Sequence, residues 1–299
     1  MISIVTFKWK RIVEGHQLPY AVENYSSLHV NVLYKAIQRN TTIPHRFICV
    51  TDNSKGLHPS IEVVNLWDKC RFLGGCYNRL YIFSKDMKDI LGERFVAIDI
   101  DTVITSSIDS ILSRKEDFII NEYNRNINKF ASKQYYNGSL IMMNAGARSD
   151  VWDKFDYTES VREISLRKSS KEYGGHRSDS VELVGSDQAW ISHFLGEGEA
   201  MFTNEDGVYD YRHFHDRNTL PGNAKIVFFP GKRDPLTERR KVAWIRKHWV
   251  KTEYDKDDDD VELLKAQFTE MMGRPKYRGL TQREKDKLYI RFMKRRRTL

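Results

Sequence analysis

The chain is poor in cysteine and has no long hydrophobic run, and each shortage excludes a class of protein. Cys49, Cys70 and Cys76 are the only cysteines in 299 residues. An odd number without ligand-like pairing partners argues against a disulfide framework and for a reducing compartment. The longest apolar runs are strand-sized, as in Ile226-Val-Phe-Phe229, which is too short to span a bilayer. The N-terminus, Met1-Ile-Ser-Ile-Val-Thr-Phe-Lys-Trp9, lacks the basic segment, extended apolar core and small-residue cleavage site of a secretory leader. It reads as a buried first strand, and a cytoplasmic location is the expectation. No Gly-x-Gly-x-x-Gly follows that strand, which argues against a dinucleotide-binding enzyme.

What is present suits a large globular domain with an appendage: 40% of residues are hydrophobic and 30% charged. The formal net charge of +8 is unevenly placed. Residues 273–299 carry eleven Lys and Arg against Glu284 and Asp286, a balance of +9 that leaves −1 for residues 1–272. A nearly neutral body with a basic tail points to an anionic partner for the tail. The run Asp255-Lys-Asp-Asp-Asp-Asp260 is charged and poor in apolar residues. We place a boundary near it, with a catalytic domain over 1–250 and a charged linker plus basic helical tail over 251–299.

Short runs rich in β-branched and aromatic residues alternate with amphipathic stretches, the pattern of an α/β fold with a mostly parallel central sheet and flanking helices. Strands are expected at Ser3–Phe7, Arg46–Thr51, Ile61–Asn65, Phe95–Ile98, Phe118–Asn121, Ser139–Met143 and Ile226–Phe229. Helices are expected at Ala21–Gln38, Tyr77–Met87, Arg148–Phe155, Asp187–Phe194 and Thr237–His248. The polar stretch Arg162–Glu182 reads as a loop.

The segment Phe95-Val-Ala-Ile-Asp-Ile-Asp-Thr-Val-Ile104 carries the most chemistry. Carboxylates at i and i+2 of a strand end share one face, and open α/β sheets bind ligands at the carboxyl ends of their strands. Two oxygen donors there suit a hard divalent cation that also holds a diphosphate.

With Tyr77-Asn-Arg-Leu80, Asp99-Ile-Asp101, Tyr136-Asn-Gly-Ser139 and Ser186-Asp-Gln188 following in this order, residues 1–236 resemble GT-A glycosyltransferases, the glycogenin-like retaining galactosyltransferases above all. The resemblance implies a GT-A, Rossmann-like fold, a nucleotide-diphosphate sugar as donor and Mn2+ or Mg2+ as cofactor. It makes Asp101 the main metal ligand, with Asp99 sharing the metal or binding the donor ribose. Arg79 would face the donor, Thr6 and Lys8 would lie near its base, and Asn137 and Gly138 would line its site. Asp187 and Gln188 would lie beside the anomeric carbon, with Gln188 positioning and stabilising charge rather than attacking. Asp187 also has the place of a helix N-cap.

One departure stands out. The family's last motif has a metal-binding His before a Gly, then Lys-Pro. Here the stretch is Phe228-Phe-Pro-Gly-Lys-Arg-Asp-Pro235: no His is present, and Asp234 stands where the Lys would. Gly231 and Lys232 remain as donor contacts, and His213 and His215 are offered as replacement metal ligands, although two His flanking a Phe also suit a strand face or loop.

Other readings compete. Asp99-Ile-Asp-Thr-Val103 also matches the aspartyl-phosphate motif of haloacid-dehalogenase-like phosphatases, but that family places it on the first strand. A non-catalytic sugar-nucleotide binder is the third reading. For the tail, the sequence leaves three roles open: packing on the body, lying on an anionic membrane, or gripping DNA phosphates in an enzyme that sugars a modified base.

Overall fold

The structure is a computed structural model, and it describes residues 1–9, 11–13, 20–22, 25–70, 73–124, 131–160, 183, 187–230 and 233–253, with short stretches between 268 and 289. The strands in chain order are β1 (Ile2–Lys8), β2 (Arg11–Val13), β3 (Tyr20–Val22), β4 (His45–Thr51), β5 (Glu62–Asn65), β6 (Arg94–Ile98) and β7 (Thr102–Ile104). They continue as β8 (Phe118–Glu122), β9 (Tyr136–Asn144), β10 (Ala200–Phe202), β11 (Val208–Asp210) and β12 (Ile226–Phe228). The helices are α1 (Ser27–Asn40), α2 (Met87–Leu91), α3 (Asp109–Leu112), α4 (Asp150–Asp153), α5 (Tyr157–Glu159), α6 (Asp187–Leu195), α7 (Pro235–Glu238) and α8 (Ala243–His248).

Seven strands form the main sheet in the order β10-β8-β9-β6-β1-β4-β5. Only β9 runs against its two neighbours; the other pairs are parallel. All seven residues of β1 are buried, as a parallel strand covered on both faces requires, and this is why its sequence is a continuous apolar run. One face is covered by residues such as Leu80, Phe83 and Trp190. The other is covered by α1 through Val30, Leu33 and Ile37. The arrangement is the α/β, mostly parallel sheet with flanking helices that the sequence implies.

A second sheet, β11-β12-β7, lies beside the first. The chain crosses between them at Asp99-Ile100-Asp101. The Asp99 amide still donates to the Ser139 carbonyl at 2.9 Å, extending the β6–β9 ladder, while the Asp101 carbonyl accepts from the Phe229 amide at 3.2 Å, joining the second sheet.

Three helices differ from the sequence expectation. The one expected at Ala21–Gln38 begins at Ser27, because residues 20–22 pair with 11–13 as a hairpin. The one expected at Tyr77–Met87 is a 3-10 helix over Tyr77–Phe83, then α2, divided at Ser84, whose backbone is extended. All seven residues of that 3-10 helix are buried, so no polar face fixes a helical period and packing decides its pitch. The one expected at Thr237–His248 is α7 and α8, divided at extended Val242, whose side chain packs inward. The expected helix at Arg148–Phe155 shrinks to α4. The loop Arg162–Glu182 and the boundary near Asp255–Asp260 lie outside the described residues.

Candidate active site

The site gathers at the carboxyl ends of β1 and β6. Thr6 is fully buried and donates its hydroxyl to the Ile98 carbonyl at 3.0 Å, tying the ends of the two strands together. Lys8 ends β1, buried and opposite Thr51 of β4.

Arg79 is the hub. Its Nε donates to Asp187 Oδ2 at 2.7 Å, its Nη2 meets the same oxygen at 2.6 Å, and its Nη1 donates to Asp99 Oδ1. Burial alone would lower the guanidinium's affinity for its proton, but Asp187 and Asp99 outweigh it and push the pKa up, so the charge is retained. The Arg79 and Asp187 side chains are 10% and 4% exposed. A buried ion pair of this kind survives only when its hydrogen bonds are made.

The need for glycine at position 138 follows from this pair. The register of β8 on β9 slips between Ile120↔Ile141 and Asn121↔Asn137, a bulge of the kind that re-aims side chains beside active sites. Asn137 Oδ1 secures it by accepting from the Ser139 amide at 2.9 Å and the Ser139 hydroxyl at 2.6 Å. A Cβ on Gly138 would stand 3.0 Å from both Arg79 Nη2 and Asp187 Oδ2. Both atoms are locked in the ion pair and have nowhere to retreat.

Asp101 faces elsewhere. It is buried, and its Oδ2 accepts from the Tyr25 hydroxyl at 2.7 Å. Burial pushes its carboxyl pKa well up, Asp99 and Asp234 push it further, and the Tyr25 hydrogen bond works against them. The same carboxylates and its own burial raise the Tyr25 phenol. The i, i+2 spacing therefore leaves Asp99 and Asp101 as electrostatic neighbours with separate partners, because residues 100 and 101 form a turn rather than more strand.

Asp234 caps α7 by accepting from the Leu236 amide at 2.7 Å, and it stands 3.3 Å from His29 Nε2. His29 is fully buried between the rings of Tyr25 and Trp249. The sequence reading missed Tyr25 and His29 as site residues. Their i, i+4 spacing at the start of α1 was the available signal, but it also fits the apolar stripe of a packed helix.

Gln188 is half-buried on the first turn of α6, where its carbonyl accepts from Gln134 Nε2 at 3.0 Å. Asp187 opens that helix and turns its carboxylate to Arg79. His213 lies 3.8 Å from Asp210, and burial lowers its pKa. Neither His213 nor His215 completes a set with Asp99 and Asp101: among the described residues no three His, Cys, Asp or Glu side chains converge as a metal cage. Gly231 and Lys232 lie outside the described residues.

No protein-family model matches this chain, and no curated protein matches it by sequence. Solved structures do match. The galactosyltransferase LgtC in complex with donor and acceptor sugar analogs is 13% identical, covering 84% of this chain and 98% of that one with a TM-score of 0.48. An active-site mutant of LgtC, glutamine to glutamate, is 12% identical, covering 82% and 93% with a TM-score of 0.50. The chain thus shares the GT-A fold of that galactosyltransferase. Among the described residues no helix is long and apolar enough to cross a membrane.

Proposed function

We propose that this protein is a glycosyltransferase that moves a hexose or pentose from a nucleotide-diphosphate sugar to an acceptor hydroxyl with retention of configuration. The observation that carries the proposal is the buried Arg79, clamped between Asp99 and Asp187 beneath Gly138, on a fold shared with a galactosyltransferase. Departure of a diphosphate builds negative charge, and a fixed cation that needs no reorganisation stabilises it.

A divalent cation fits at Asp101. The donor set is hard oxygen, the carboxylate is buried, and its neighbours Asp99 and Asp234 are acidic. Mg2+ is commonly held by one or two carboxylates plus substrate phosphates rather than by an all-protein cage, so a missing histidine does not remove the site. Bound there, such a cation supplies charge for the leaving diphosphate. This chain's own groups do the rest. Arg79 holds Asp99 and Asp187 in place, and the first turn of α6 presents Gln188 to the anomeric carbon.

A panel of nucleotide sugars with Mn2+, read as hydrolysis and as transfer, tests the proposal. Gln188→Ala is expected to lower kcat tenfold to a thousandfold, on the scale of removing one stabilising donor, with KM nearly unchanged. Inverted product stereochemistry, or normal turnover with a large rise in KM, would remove Gln188 from the anomeric centre.

The acceptor side rests on charge. The +9 of residues 273–299 supports DNA as the acceptor-bearing partner, since phosphates attract a cationic tail without sequence preference. Deleting residues 273–299 is expected to spare donor hydrolysis and to impair transfer. DNA affinity of the whole chain should fall steeply with salt, by roughly one log unit per log unit of salt for each phosphate contact. Binding to anionic vesicles instead would assign the tail to a membrane surface.

A further inference from the structure

Asn121 is a buried polar group that the fold leaves unsatisfied. It is 3% exposed near the end of β8, and its side-chain nitrogen has no hydrogen-bond partner in the protein. A buried donor left unpaired costs about 1–3 kcal/mol, so a fold that retains one invites a ligand to complete it. The bulge between Ile120 and Asn121 sets this residue opposite Asn137, the residue before Gly138.

Asn121 lines a cleft between the two sheets together with Glu122, Asn137, Asp210, His213 and Phe228. The cleft encloses about 330 Å3 of open space, part of it continuous with solvent, the lower end of the range for small-ligand sites. It adjoins the candidate active site at both ends: Asn137 leads into Gly138, and Phe228 precedes Phe229, whose amide holds the Asp101 carbonyl. Its chemistry selects a ligand class. Phe228 is buried, so its ring offers no open face for a stacked base. Glu122 and Asp210 would repel a phosphate. Hydroxyl groups, which both donate and accept, match a lining of amides and carboxylates.

We propose that Asn121 is a specificity-determining residue whose side-chain nitrogen donates to an oxygen of a neutral, hydroxyl-bearing sugar unit held in this cleft. The inference rests on the glycosyl-transfer reading and deepens it. The sugar belongs either to the donor or to the acceptor, and the two sources separate in one experiment. Titration calorimetry compares wild type, Asn121→Ala and Asn121→Asp. The ligands are UDP-glucose, UDP-galactose, UDP-N-acetylglucosamine and GDP-mannose, with UDP and GDP as sugar-free controls and with methyl glucosides, methyl galactosides and lactose as free saccharides.

Asn121→Ala is expected to weaken the sugar-bearing ligand about tenfold, as losing a hydrogen bond worth ~1.4 kcal/mol does, with UDP and GDP affinity unchanged. Asn121→Asp keeps the size but replaces the donor with a carboxylate, and should weaken it further. A loss confined to nucleotide sugars assigns the cleft to the donor, and one confined to free saccharides assigns it to the acceptor. Equal sugar affinity in all three proteins overturns the inference and leaves the transferase reading standing. Nucleotide affinity that falls along with sugar affinity makes Asn121 structural and overturns it too. Wild type that binds neither nucleotide nor sugar overturns both.

Discussion

Replacing Asp101 with asparagine is expected to abolish sugar transfer and, in the same protein, to raise the melting temperature of the ligand-free form. Asparagine keeps the shape and an oxygen for the Tyr25 hydroxyl, but it removes a buried charge that faces Asp99 and Asp234. The sign follows from linkage. The folded pKa of Asp101 lies above the unfolded value, so the folded state binds the extra proton and loses stability as pH rises between the two values. The asparagine variant has no such group. Its advantage should be absent below the ordinary carboxylate range, near pH ~4, and greatest at alkaline pH. Each kcal/mol gained should appear as about 2–4 °C for a domain of this size. Calorimetry at pH 5 and pH 8, with transfer assays alongside, decides the matter. A variant with the wild-type pH profile, or one that retains full transfer, contradicts this account of Asp101.

The second large effect is expected at Arg79. Arg79→Met leaves Asp99 and Asp187 facing each other without the cation that both of them contact. Breaking a buried pair by removing one partner costs about 3–5 kcal/mol, a large share of a typical domain's stability. Arg79→Lys should rescue little, because one ammonium cannot match the fork that reaches Asp187 from Nε and Nη2 while Nη1 reaches Asp99. Adding Asp187→Asn to Arg79→Met removes the stranded charge, and should restore much of the stability but none of the transfer activity. Urea unfolding of the single and double variants gives the coupling directly. A single variant as stable as wild type would mean that the clamp is not formed in solution.

These two residues also show what local sequence could reveal. Arg79 and Asp187 were legible as site residues through the order of their motifs, yet their contact spans 108 positions. Tyr25 and His29 were not legible as site residues, because their partners lie 76 and 205 positions away. Asp234 read as a lost lysine. The structure makes it a helix cap beside a buried histidine, a role that its Asp-Pro neighbourhood signals in part, since Pro at the first helical position follows a capping residue.

The sequence by itself determined the main sheet and the order of the chemistry along it. A strand buried on both faces needs an unbroken apolar run, and β1, β4, β6, β8 and β9 each carry one. Tertiary structure alone decided the parting of Asp99 from Asp101, the division of the helix expected at Tyr77–Met87, the place of β7 in a second sheet and the unpaired amide of Asn121. In each case the deciding partner is remote in the chain. Local propensity fixes what a segment can form, and burial against distant residues fixes which of those forms is kept.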